Sequence, residues 1–372
     1  MAVNSVSTST LSNILQNTVS RLQSQMTSIE TENSTGLLAD IGLTLGADSG
    51  RYISMHQQYA ELNGLTASNV VVTTQLDTAY TAVTTMQKSA ANVLKQVITG
   101  LSTTPSSTGS AAIQSVATGA LSSFIAGANS EVAGVYVFGG INTATQPINA
   151  YSAPPATSAA QQAVQTVLSN YLGAHSLTSV NQMTGAQMQE FLTATPSSTP
   201  SLPANQSFAS LFQSGAASAT PPSLNWSDWS KASDTPLTNR ISLKLTDTTS
   251  VSANNQAFQS MAQGLTMLSE FANQNLTADA YTALMQTAQK VVNTASSQLT
   301  ETAATIGTMQ NSVNQSNSSI TLQQNVLNKQ INAREAVDPY TVASEVTNLS
   351  TQLQVAYSLT SQIHKLSLVN FL

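Results

Sequence analysis

Three histidines, His56, His175 and His364, and a complete lack of cysteine limit the chemistry open to this sequence. Without thiols there are no disulfides, thiolate metal sites or thiol nucleophiles. A metal centre or acid–base pair would need a histidine or carboxylate partner at ligand spacing. The three histidines lie in separate segments without such neighbours, so they read as surface or internally satisfied side chains. Glu30 and Glu32, and Glu335 and Asp338, lie close in sequence, but in helical surroundings they read as solvated faces or caps. No phosphate loop, nucleophile elbow, zinc helix or calcium loop occurs. Gly139-Gly140 lacks the third glycine and the following helix of a phosphate cradle, and predicts a hairpin turn. Trp226 and Trp229, with Asp228 between them, offer a carbohydrate platform or, more simply, a hydrophobic plug in a poorly packed segment. No catalytic, cofactor-binding or metal-ligating residue is assigned, no cofactor is expected, and the chain is not expected to be an enzyme.

Composition points away from chemistry altogether. Of 372 residues, 11 are Lys or Arg and 17 Asp or Glu, so 8% are charged; ordinary soluble domains carry about 25%. The apolar fraction is 41% and the mean hydropathy −0.02, so uncharged Ser, Thr, Asn and Gln fill the gap. A net charge of −6, with no Lys or Arg between Gln96 and Ser230, lacks the basic footprint that holds nucleic acid. No run of about 18–20 consecutive apolar residues exists, so membrane insertion is not expected. Met1–Ser20 has neither a basic n-region nor an apolar h-region, and no cleaved signal peptide is expected. Aromatics at 5% argue against one large, well-filled core.

The elements are helical at both ends. Leu62, Leu65, Asn69, Val72, Leu76, Ala79, Val83, Met86, Ala90, Val93 and Val97 alternate steps of three and four, the seam of a coiled coil over Arg51–Gly100. Gly64 inside it costs about 1 kcal/mol relative to Ala, which seam burial at roughly 1.5–3 kcal/mol per large apolar side chain outweighs. Asn69 on the seam either fixes register or faces a wet gap. Leu15, Val19, Leu22, Met26 and Ile29 repeat the stripe near the start. Val342, Val346, Leu349, Leu353, Ala356 and Ile363 repeat it near the end, behind an Asp338 cap and Pro339. A helix over Ala278–Ala333 precedes them.

The middle differs. Val135–Phe138 predicts a strand entering the Gly139-Gly140 turn, and Arg240–Leu245 alternates as a second strand. Between Tyr151 and Ser250 prolines break the chain, leaving short helices at Gln161–Tyr171 and Gly185–Leu192. The expected fold is mainly α: a long antiparallel helical coiled-coil rod formed by the N- and C-terminal segments, with a small mixed α/β or β-rich inserted outer domain. Residues 1–45 with 335–372 form terminal helices. Residues 46–150 with 251–334 form the rod, with a hairpin near 135–141, and 151–250 the insert. Long Gln/Asn-rich helices with neutral outer faces suit packing against further copies, so self-assembly into a ring or helix is the leading physical reading.

Three stretches resemble the flagellin superfamily and, within it, the hook-filament junction (hook-associated protein 3) proteins. They are the tail His364–Leu372, the run Gly134–Thr143, and Ser34-Thr35-Gly36 after the first helix. The resemblance covers Met1–Asn149 and Val251–Leu372. Gly46-Ala47-Asp48-Ser49-Gly50 departs from the Asp-Asp-Pro-like loop of relatives. The resemblance implies a flagellin-like, extracellular structural role in the bacterial flagellum at the hook-filament junction, required for swimming motility. It implies export by the flagellar secretion apparatus with a chaperone, and assembly with itself, with flagellin and with the preceding hook-associated protein. It pairs Leu15, Val19, Leu22, Met26 and Ile29 with Leu349, Leu353, Ala356 and Ile363 as an assembly interface, extended by the tail residues Leu366, Leu368 and Leu372. Flagellin itself is the alternative, and a surface adhesin or carbohydrate-binding fibre a remote one.

Overall fold

The computed structural model describes residues 8–102, 106–153, 156–215 and 222–369, with side chains between residues 10 and 363. Its helices are α1 (Thr8–Thr35), α2 (Ile41–Leu45), α3 (Ser49–Ser102), α4 (Ser107–Ala128), α5 (Ala159–Ala174), α6 (Gly185–Thr193), α7 (Gln256–Phe271), α8 (Ala278–Glu335) and α9 (Pro339–Val369). Three antiparallel hairpins are the only sheets among the described residues: β1 (Glu131–Val132) with β2 (Val135–Tyr136), β3 (Ser152–Ala153) with β4 (Ala156–Thr157), and β5 (Thr238–Arg240) with β6 (Thr246–Thr248). The chain is mainly α, with a small mixed region, as the periodicity predicts. It divides into two compact units, Met1–Gly64 with Ser319–Leu372, and Leu65–Ser318. That division differs from the expected three parts: residues 151–250 belong to the second unit and share its core.

In the first unit α1 and α9 run antiparallel. Leu38 N–H donates to the Glu335 carbonyl at 2.8 Å and Val337 N–H to the Gly36 carbonyl at 3.1 Å, while Gln23 Nε2 donates to Tyr357 Oη at 2.8 Å further along. Gly36, at φ +70°, makes the turn out of α1 that most side chains would resist. Asp40 caps α2 through Leu43 N–H, and Asp338 accepts from Tyr340 N–H at 3.0 Å, with Pro339 at the first helical position as its missing donor allows.

In the second unit α3 and α8 also run antiparallel: Asn69 meets Asn317, Asp77 meets Gln310 and Gln87 meets Thr300. The α3 residues from Val72 to Val97 on the seam are buried, facing a stripe on α8 that includes Leu284, Ala288, Leu299, Ile306 and Val313. Helix α4 is long and apolar enough, by composition, to cross a membrane. Its Ile113, Ala117, Leu121 and Phe124 are instead buried in the protein core, with the Phe124 ring 6.0 Å from Phe258 of α7. Gly264 lets α7 approach α8, since a Cβ there would lie 2.6 Å from Val292 Cγ2.

Two strand expectations change. Only Val135 and Tyr136 form a strand, pairing back with Glu131 and Val132 across an Ala133-Gly134 turn, so the hairpin precedes Gly139-Gly140 instead of turning there, and Val137 and Phe138 are buried in the core. Arg240–Leu245 is mostly the turn of the β5–β6 hairpin rather than a strand: Ile241 N–H donates to the Leu245 carbonyl at 2.9 Å while its side chain is fully buried. Alternation there reflects one anchoring isoleucine. The segment expected to pack poorly holds a dense aromatic cluster. Phe191 and Phe208 each meet the Phe271 ring at 5.6 Å, edge-on, and Tyr151 and Trp226 both stack with Trp229, at 5.0 and 6.0 Å.

Candidate assembly surface

Within the first unit, α1 and α9 turn their seams toward each other and leave sparsely charged faces outward. On α1, Leu22 and Ile29 are buried and Leu15, Val19 and Met26 half-buried. On α9, Ala356 is buried and Leu349, Leu353 and Ile363 half-buried, joined by Val342 and Val346. The structure thus brings the two stripes together on paired helices. Leu366 and Leu368 fall in α9 beyond the described side chains, and Leu372 lies outside the described residues.

The outward faces are unusual. Among the described side chains, the charged ones are Arg21, Glu30 and Glu32 on α1 and Glu345 on α9. Threonines there bond back to their own helix: Thr18 to the Ile14 carbonyl, Thr27 to Gln23, Thr31 to Thr27, Thr347 to Ala343 and Thr351 to Thr347, all between 2.8 and 3.1 Å. A hydroxyl satisfied in this way turns its methyl group toward solvent, so the face can be covered by another chain without stranding a donor. Leu11, Ile14, Val355 and Leu359 add exposed aliphatic area to the same two helices.

An open groove of about 720 Å³ lies along α1, α2 and α9, with Ile29, Leu43 and Leu349 among its apolar lining and Glu32, Asp40 and Glu345 as its charged groups. Glu32 accepts from Ala39 N–H at 3.0 Å and Asp40 from Leu43 N–H at 2.8 Å. Leu43 itself is 83% exposed. Leu322 and Val326 stand out of phase with the buried face of α8, and Leu43 lies in the short α2 that no periodicity marks. For Leu322 and Val326 the signal is that mismatch: large aliphatic residues where the period calls for polar ones.

The α3 residues placed on the seam, Leu62, Leu65, Asn69, Val72, Leu76, Val83, Met86 and Val93, are all buried. Asn69 faces no wet gap: its amide donates to Asn317 Oδ1 at 2.7 Å and to the Ile241 carbonyl at 2.9 Å, although its own Oδ1 is left without a partner.

Folding supplies partners that local spacing did not show. His56 Nε2 lies 3.3 Å from Glu335 Oε1, which also accepts a short hydrogen bond from Tyr52. That bond to Glu335, aided by desolvation and the carboxylate's charge, pushes the Tyr52 phenol up to about 12. His175 Nε2 lies 3.6 Å from Glu190, and the ring stacks on Tyr171, whose phenol is raised by burial and then by its bond to Glu190. His56 and His175 each meet one carboxylate, and among the described residues no group of three metal-ligating side chains forms. Trp226 and Trp229 are buried, with Trp226 Nε1 bonded to Asn254 Oδ1 at 2.9 Å, so they offer no open stacking platform for a sugar.

Residues 6–143 match the family model of the bacterial flagellin N-terminal helical region, and residues 289–372 that of the bacterial flagellin C-terminal helical region. A solved structure called a flagellar hook-associated protein, from Vibrio parahaemolyticus, aligns over 77% of this chain and 97% of its own, with 7% identity and a TM-score of 0.49. No curated protein matches.

Proposed function

As a member of the bacterial flagellin family, matched over more than half its length, the chain is a structural component of the flagellum, and we propose that it is the adaptor at the hook-filament junction. The observation that carries an assembly role is the α1–α9 pair, sealed by its own seam and faced outward with neutral, self-satisfied side chains. Such a surface gains from repeated contact with copies of itself, because little charge must be desolvated to cover it. The junction reading is supported by the resemblance of Gly134–Thr143 and of the tail to hook-filament junction proteins.

In this reading a ring of the protein templates flagellin on one face and meets the preceding hook-associated protein on the other, after export outside the cell with a chaperone. The role is mechanical, with no catalytic step. Flagellin is the second reading, favoured by the name of the matching family itself. Immunogold electron microscopy with antibody against residues 151–250 separates them. Label confined to the hook-filament boundary is expected, whereas label along whole filaments would make the protein a filament subunit.

A further inference from the structure

We propose that the α1–α9 groove of one copy receives the outward stripe Leu322–Val326–Lys329 of α8 from a second copy, making a head-to-tail contact. The inference rests on the self-assembly reading above and names surfaces for it.

Both surfaces lie in the first unit, and neither is used by the chain that carries it. At 3.6 residues per turn Leu322, Val326 and Lys329 fall within about 60° of one another. They stand opposite Ile320 and Ile331, which are buried. Leu322 is 68% and Val326 55% exposed, large values for aliphatic side chains on a well-formed helix. The groove is lined largely by polar side chains but includes Ile29, Leu349 and the exposed Leu43, which give an aliphatic stripe something to meet.

Charge selects a second copy as the occupant. The groove is lined by Glu32, Asp40 and Glu345 and by no Lys or Arg. The stripe ends in Lys329, which is exposed and makes no ion pair among the described residues. In a chain with 11 cationic side chains in 372 residues, a lysine closing an exposed aliphatic stripe complements an acidic groove that also carries Ile29, Leu43 and Leu349. Because groove and stripe are different patches, the contact is heterologous, and repetition builds a ring or helix rather than a closed pair.

The chain contains no cysteine, so introduced thiols report without background. Full-length Leu43→Cys and Val326→Cys proteins, both altered at exposed positions, are mixed under assembling conditions and oxidised. Mixed disulfide dimers are expected in the mixture and not in either variant alone, and a chain carrying both changes should yield a ladder of multimers. Adding Lys329→Glu should cut the yield roughly tenfold, with recovery when the Leu43→Cys partner also carries Glu345→Lys. If electron microscopy shows ordered assemblies but Leu43→Cys and Val326→Cys cross-link no better than Tyr80→Cys and Val326→Cys, the contact is wrong and self-assembly stands. If the unaltered protein never assembles, alone or on isolated hooks, both readings fall.

Discussion

Asn69 on α3 and Asn317 on α8 face each other across the helix pair, with Asn69 Nδ2 2.7 Å from Asn317 Oδ1. The same amide reaches the Ile241 carbonyl at 2.9 Å, so one side chain ties two long helices to the β5–β6 turn. Moving either helix by one residue along the seam would strand buried polar groups, and this is how a polar seam residue selects register. Asn69→Ala should destabilise the second unit by about 1–3 kcal/mol, read as a lowered midpoint in chemical denaturation. A change below a few tenths of a kcal/mol would show that the pair carries no such role.

Gly140 sits at φ +60°, and a Cβ there would lie 2.6 Å from the carbonyl oxygens of both Ser233 and Thr235. Backbone strain and backbone collision combine, and neither can be relieved by rotating a side chain. Gly140→Ala is expected to cost more than about 2 kcal/mol and to loosen the contact that Ile141 N–H makes with the Thr235 carbonyl at 3.0 Å. Thermal unfolding beside a control, Gly134→Ala, whose Cβ meets nothing within 4 Å, separates collision from φ strain.

Tyr52 has a folded-state pKa near 12 against an ordinary 10.0, because its phenol donates to Glu335. A raised acid favours its neutral form in the folded state. The stabilisation is therefore fully present below pH 10 and is lost as pH climbs from 10 toward 12. Tyr52→Phe should lower stability at pH 8 and flatten the fall across that window. Identical pH profiles for the two proteins, followed by circular dichroism, would count against this bond.

Leu353 lies half-buried on the α9 seam against α1. Leu353→Asp places a carboxylate in an apolar contact repeated in every copy, which is strongly unfavourable. Export of the protein should persist while incorporation into the flagellum fails, seen as secreted monomer in the medium and cells that do not swim. Normal filaments on such cells would remove the α1–α9 seam from the assembly mechanism.

Periodicity was enough to read the helical half of this protein. Alternating steps of three and four leave one solution for Leu62 to Val97, and a proline behind an aspartate starts α9 where expected, because those signals act within a few residues of chain. The second unit's aromatic core was hidden. Phe191, Phe208, Phe271 and Trp229 are scattered over some eighty residues without a repeat, so only folding brings their rings together. The Arg240–Leu245 run misled for a related reason, since one buried isoleucine in a turn imitates alternation.

The amino-acid sequence by itself determined the helical character, the paired seams and the poverty of charge that suits the chain to packing against its own kind. Tertiary structure decided which carboxylates His56 and His175 meet, that Asn69 is bonded rather than wet, and that the two tryptophans are buried. It also decided where the surface stays open, leaving a groove beside Leu43 and a stripe at Leu322 and Val326. The physical reason is range: helix signals are local and recur every turn, whereas burial, ion pairing and surface complementarity depend on residues hundreds of positions apart.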